Sequence, residues 1–174
     1  MLNSMRRLTG AELTAIDGDI GHVEEFFFDD CDWAIRYFVV HTGSWLEERK
    51  VLISPYAVQQ PLGGDKHIHT VLTKQQVKNS PDVDTHQPMS RQHERDYLDY
   101  YAYAEYWGGS ALWGMAEMPY PPIMRSPAEI AAARALRRRD SKAGEVHLRS
   151  SAHVIGNNLE ATDESIGVVQ DFIF

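Results

Sequence analysis

The sequence predicts a mainly β fold, a small barrel, and three observations predict it. Short runs rich in β-branched and aromatic residues stand at Ile20–Phe28, Ala34–His41 and Lys50–Ser54. Turn-forming residues separate them at close intervals, and no long helical period lies between them. Asp17-Gly18 opens the first long strand, because Gly accepts positive φ and Asp bonds its own backbone. Asp29-Asp30-Cys31-Asp32 and Thr42-Gly43-Ser44 are the next turns. In the second strand Ile35, Tyr37 and Val39 alternate with Arg36, Phe38 and Val40, so both faces are largely apolar, which suits a closed or doubly covered sheet. Pro55 ends the third strand, Ala57–Leu62 forms a short fourth, and Gly63-Gly64-Asp65 turns the chain into a fifth near His67–Leu72. Phe26 and Trp33 are expected in the core.

Beyond Thr73 the pattern changes. Thr73 caps one helical turn through Val77, closed by Ser80-Pro81. A longer helix is expected from Arg91 to about Tyr106, with Glu94 in its first turns. Tyr97, Tyr100, Tyr101, Tyr103, Tyr106, Trp107 and Trp113 crowd this region. Rings this dense either wrap the barrel or seal an interface with another chain; a sharper alternative is a stacking platform for a flat cofactor or bases. Tyr97, Tyr101, Trp107 and Trp113 are the candidate partner-binding residues. Gly108-Gly109, Gly114, Pro119, Pro121 and Pro122 break the following stretch into loops. Ser126-Pro127-Ala128-Glu129 is a capping box that starts a connector helix running to about Arg139.

Bulk composition narrows the function. A chain of 174 residues can bury a core without metals or disulfides. The single cysteine, Cys31, fits a reducing compartment, so a cytoplasmic address is expected. Seven residues before Leu8 are too few for a secretory signal, and no apolar run approaches the roughly 18 residues of a membrane span. With 25 acidic against 17 basic side chains the net charge is -8, which disfavours nucleic acid and anionic lipid as partners. The cluster Arg134, Arg137, Arg138 and Arg139 is the local exception and reads as a cationic last helical turn.

The chain also repeats itself. A shift of 146 residues aligns Gly10–Phe28 with Gly156–Phe174 without a gap. Gly10, Leu13, Ala15, Asp17, Ile20, Gly21, Val23, Phe26 and Phe28 recur as Gly156, Leu159, Ala161, Asp163, Ile166, Gly167, Val169, Phe172 and Phe174. The expected organisation is a first module over 1–81, an aromatic-rich and helical linker over 82–144, and the start of a second module over 145–174. A hairpin-sized second copy leaves an unpaired edge: either the sequence is a fragment of a two-module protein, or the last strands complete another sheet within the chain or in a second subunit, and a fragment whose exposed strands borrow a partner in a homodimer is expected.

Several segments together resemble the PRC-barrel family: Leu8-Thr9-Gly10, Asp17 to Val23, Phe28-Asp29-Asp30, Trp33 to Val40, Gly43 to Leu46 and Val51 to Pro55. The resemblance covers about Leu8 to Pro81. It implies a small, strongly bent β-barrel like the cytoplasmic domain of the photosynthetic reaction centre H subunit and the C-terminal domain of the ribosome-maturation factor RimM. The membrane helix of the former and the N-terminal RNA-associated domain of the latter have no counterpart in this sequence, so neither specific role transfers. What the resemblance leaves is a scaffold that binds other proteins, with an accessory role in electron transfer like that of the H subunit as an alternative.

Catalytic and metal chemistry find little support. His67 and His69 share one face of a strand, but Asp65 alone does not complete a metal site. Asp82, Asp84 and His86 resemble ligands only in composition. Cys31 lies in an acidic turn that raises a thiol pKa, and no base is placed to activate it. Asp17 and Asp163 recur in the two copies as structural turn residues. The expectation is therefore a non-enzymatic adaptor with no cofactor or metal; the alternative is a small-ligand module with the Tyr/Trp segment as a pocket wall.

Overall fold

The computed structural model describes residues 4–59, 66–81, 89, 91–103 and 148–173. The Gly63-Gly64-Asp65 turn, the 82–86 acidic loop, Trp107, Trp113, the capping-box helix and its arginine cluster lie outside the described residues.

The described chain is dominated by strands. A short helix α1 (Met5–Leu8), capped by Ser4, leads into β1 (Glu12–Ala15), β2 (Gly18–Asp29), β3 (Ala34–His41), β4 (Lys50–Ile53) and β5 (His67–His69). They form one mixed sheet in the order β4-β3-β2-β1-β5, antiparallel except for β1 and β5, with β6 (Leu148–Ser150) as a sixth strand on β2. β2, β3 and β4 run close to the expected bounds because their composition and turns specify them locally, whereas the expected fifth strand, near His67–Leu72, ends at His69. β1 carries no such density of branched residues, and what makes it a strand is pairing on both edges.

The sheet bends enough for the chain beyond β4 to meet the end of β5 through one bridge, and its central strand is irregular. β2 is irregular against both β1 and β3, with register shifts opposite Leu13/Thr14, between Val23 and Glu25 and between Phe27 and Phe28. Among the described residues the ring is not closed by a continuous ladder, as a barrel would require: β4 and β5 do not pair directly. Pro55 removes a donor and bends the chain after β4 into a 3-10 turn (Pro55–Ala57), and the next residues reach β5 through one bridge, Val58 to Thr70. Gln59 N donates to His69 O at 2.8 Å and Val71 N to Ala57 O at 2.9 Å on either side of it. Over 57–59, the part of the expected fourth strand among the described residues, the strand is reduced to this bridge.

Both faces of β3 are covered, as its alternation implies. Arg36, Tyr37, Phe38, Val39 and Val40 are all buried. Phe26 and Phe38 face each other across β2 and β3, with ring centroids 5.3 Å apart. Gly21 is the tightest point. A Cβ there would lie 1.9 Å from the His41 carbonyl oxygen and 2.9 Å from Thr42 Cα, so only glycine lets β3 end against β2.

The expected helical turn is present as α2 (Lys74–Lys78), with a full capping box between Thr73 and Gln76. Asp17 Oδ1 accepts from Lys74 N at 2.8 Å, so the first turn of the sheet also holds the start of this helix. The longer helix, α3 (Arg91–Tyr100), is shorter than expected. Ala102 takes a left-handed φ of 58°, and Tyr103 N donates back to Leu98 O at 2.8 Å, a C-terminal lock that ends the helix.

Trp33 corrects the expected core. It is 66% exposed and left-handed at φ 55°, an unusual conformation for a bulky residue, because the Asp29–Asp32 turn leaves no extended residue there. Phe26 is 1% exposed. Phe26→Ala should therefore lower stability by about 3 to 5 kcal/mol, and Trp33→Ala by about 1 kcal/mol or less. Gly21→Ala should cost about 3 kcal/mol, combining strain and overpacking. Denaturant titration of the three variants checks this order; equal losses for Phe26 and Trp33 would contradict it.

Candidate interaction surface

The hairpin of the second copy repeats the pairing of the first, although its second strand ends at Val168 where β2 continues to Asp29. The hairpin is β7 (Asn158–Glu160) with β8 (Ser165–Val168), paired Asn158 to Val168, Leu159 to Gly167 and Glu160 to Ser165. Subtracting 146 gives Glu12 to His22, Leu13 to Gly21 and Thr14 to Asp19, the pairs observed between β1 and β2 with their shift at the same place. Gly156 N donates to Val169 O at 2.8 Å as Gly10 N donates to Val23 O at 2.7 Å. The correspondence extends beyond the identities. Helix α4 (Ser151–Val154) occupies the positions of α1, with Ser150 as its cap where Ser4 caps α1.

The two copies exchange their openings. β6, which precedes α4, pairs Ser150 with Phe27 at the end of β2. The matching residue of the first copy, Ser4, bridges Ile173 at the end of the second. Side chains repeat the exchange: the Ser150 hydroxyl donates to Glu25, and the Ser4 hydroxyl donates to Asp171, its repeat equivalent. Met5 N donates to Phe172 O at 2.9 Å, and Phe26 N donates to the Ser151 hydroxyl at 3.1 Å. The Phe28 and Phe172 rings meet at 5.2 Å, with Trp33 stacked on Phe28 at 5.4 Å. Each copy thus fills part of the other's edge about an approximate twofold relation.

Burial separates the copies. Leu13 and Ile20 are fully buried and Phe27 is 3% exposed, whereas their equivalents Leu159, Ile166 and Ile173 are 46%, 69% and 68% exposed. Val168 is exposed as well. Gly21 lies under the His41 carbonyl; Gly167, with a similar backbone at φ +141°, has nothing within 4 Å of where a Cβ would stand. Sequence patterning finds the repeat but not this exposure, because exposure depends on the neighbours a hairpin has.

The aromatic segment sits elsewhere. Tyr97 and Tyr101, with Glu94 and Leu98, form the inner stripe of α3 and are buried against the sheet. The Tyr97 hydroxyl accepts from Ser54 N and donates to Leu52 O, both at 3.0 Å, and the Tyr37 hydroxyl donates to Glu94 at 3.0 Å. Tyr37, Tyr97, Tyr101, Tyr103 and Tyr56 form a continuous chain of ring contacts 4.8–5.5 Å apart. Burial raises the Tyr97 and Tyr101 hydroxyls well above the usual tyrosine range and pushes Tyr103 up to about 12. These rings wrap the sheet. Tyr97 and Tyr101 offer no free face to a partner in this conformation.

Of the titratable groups singled out by sequence, Asp65, Asp82, Asp84 and His86 lie outside the described residues. His67 and His69 are exposed on β5, and His67 Nδ1 lies 3.2 Å from Glu12. Asp29, Asp30 and Cys31 gather ligand-type atoms within 4.8 Å. Asp29 Oδ1 already accepts from Cys31 N at 2.9 Å and Asp32 N at 3.3 Å, which builds the turn, and its other oxygen faces Arg36 at 3.9 Å. Desolvation, and after it the charges of Asp29, Asp30 and Asp32, hold the Cys31 thiol above its usual pKa. That opposes thiolate formation.

Comparison of the chain with models of known protein families and with curated proteins finds no match. Fold and surface define a mainly β chain with an internal half-repeat and an uncovered apolar hairpin. Among the described residues no helix is long and apolar enough to cross a membrane.

Tyr97→Phe should cost about 1 to 3 kcal/mol, because it strands the buried Ser54 N–H and the buried Leu52 carbonyl of β4; an unchanged denaturation midpoint would contradict the assignment. At Asp171 burial raises the carboxyl pKa, but hydrogen bonds from the Ser4 hydroxyl and from Arg6 and Phe172 N–H, with the Arg6 charge, outweigh it and leave it lowered. The contact therefore adds stability above the unfolded-state value and is lost as pH falls through the folded-state value. An NMR pH titration should show the Arg6 and Phe172 amides moving together with a midpoint below that of an ordinary aspartate, and Asp171→Asn should abolish the transition.

Proposed function

We propose that the chain is a non-enzymatic binding module of PRC-barrel type that acts in the cytoplasm by assembling with another protein. The curled sheet, whose edges meet through the Val58 to Thr70 bridge, supports the barrel reading. The observation that carries the function is the second hairpin. It presents Leu159, Ile166, Val168 and Ile173 to solvent in a backbone whose twin buries Leu13, Ile20 and Phe27. Apolar residues at strand positions beside an unpaired edge are an association surface. The Tyr97–Tyr103 cluster, packed ring on ring, gives the sheet rigidity rather than a ligand pocket. A homodimer formed by two such hairpins is the alternative to a separate partner, and self-association in the test below would reveal it.

The test compares wild type with Ile166→Asp/Ile173→Asp. Both positions are exposed, so the double variant should melt with the wild type. By cross-linking in native extract and sedimentation, wild type should associate with one defined protein or with itself, and the variant should lose that association. Equal association by both proteins, or none by either, contradicts the proposal.

A further inference from the structure

We infer that the uncovered hairpin is the docking site for a two-stranded polypeptide ribbon of the β3–β4 pattern, added antiparallel along Val168–Ile173. The inference rests on the reading of the hairpin as an association surface and names its occupant.

The first copy supplies the template. There β3 runs antiparallel to β2, with Val23 opposite Val40, Phe26 opposite Phe38 and Phe27 opposite Tyr37, and β4 follows on β3. In the second copy the equivalents of those β2 residues are Val169, Phe172 and Ile173. One edge of this segment is already used: β7 pairs with β8, and Ser4 bridges Ile173. The other edge, where β3 lies in the first copy, carries no strand among the described residues. Gly167 is the second observation. Its twin Gly21 seats the carbonyl end of β3 in close contact, and Gly167 keeps the same backbone with that seat open. Strand addition at such an edge takes its affinity from main-chain hydrogen bonds and its register from alternate side chains.

Strand count argues against a second copy as the occupant. Each copy has one β3–β4 ribbon among the described residues, and it is already paired along its own β2. Among the described residues, two copies of the chain therefore hold two uncovered hairpins and no spare ribbon.

The probe is a synthetic peptide of residues 34–53, the chain's own β3–β4 ribbon, added to the full 174-residue chain carrying Cys31→Ser. With Ile173→Cys in the protein, a peptide carrying Tyr37→Cys should form a disulfide, while peptides carrying Arg36→Cys or Phe38→Cys, which point to the other face, should be trapped about tenfold less. Ile166→Asp should weaken peptide binding about tenfold or more without changing the melt of the free protein. As a measurement independent of engineered thiols, amide exchange over 166–173 should slow on adding the unmodified peptide. Trapping that ignores register, or no protection of 166–173, overturns the inference. Self-association of the chain through Ile166 overturns it too and makes a second copy the occupant. If the ribbon fails while a partner is still lost in Ile166→Asp/Ile173→Asp, the binding reading stands and only the occupant is wrong.

Discussion

The approach of the His41 carbonyl to Gly21 is the constraint on which the rest of the fold depends. β2 is twelve residues long and serves β1 at its start, β3 along most of its length and β6 at its end. A strand with that many neighbours must bend, and it bends where a glycine and two register shifts permit it. Once β3 is seated there, Tyr37 is presented to α3 and Phe38 to Phe26. The tyrosine cluster then closes over β4 through the Tyr97 hydroxyl. Local strain and irregular pairing are offset by a core that runs from Met5 to Leu148.

The repeat shows that the same short sequence sets its own backbone with or without a cover. Nine shared residues, among them two positive-φ glycines, reproduce register and shift in a hairpin that lacks its neighbours, and the Ser4–Ser150 pair reproduces the cap before it. Conformation is thus local here, whereas burial is a property of what packs on top. The reciprocal contacts of Ser4 with Asp171 and Ser150 with Glu25 join the copies without covering the second one. They hold it in place with its apolar residues outward.

Much of this was legible in the sequence where the determinant is local. The bounds of β2, β3 and β4 follow from branched runs and turn residues, the capped turn at Thr73 from its side chains, and the repeat from identities at a fixed shift. What depends on distant partners was not legible. Glu12–Ala15 becomes a strand through β2 and β5, and Leu148–Ser150 through a pairing more than a hundred residues away. Trp33 suits a core by type, yet the Asp29 turn places it outside. Tyr97 and Tyr101 suit an interface by type, yet β4 satisfies the Tyr97 hydroxyl and draws the stripe inward. The acidic turn is likewise explained by the backbone groups that Asp29 caps.

The exchange between the two copies is tested most directly by interproton contacts. Cross-strand nuclear Overhauser effects should connect Ser150 with Phe27 and also Ser4 with Ile173, both with the spacing of an antiparallel pair. Finding both supports two like-folded copies locked edge to edge. Finding only one, or a hairpin over 158–168 whose register differs from that of Glu12 with His22, would contradict it.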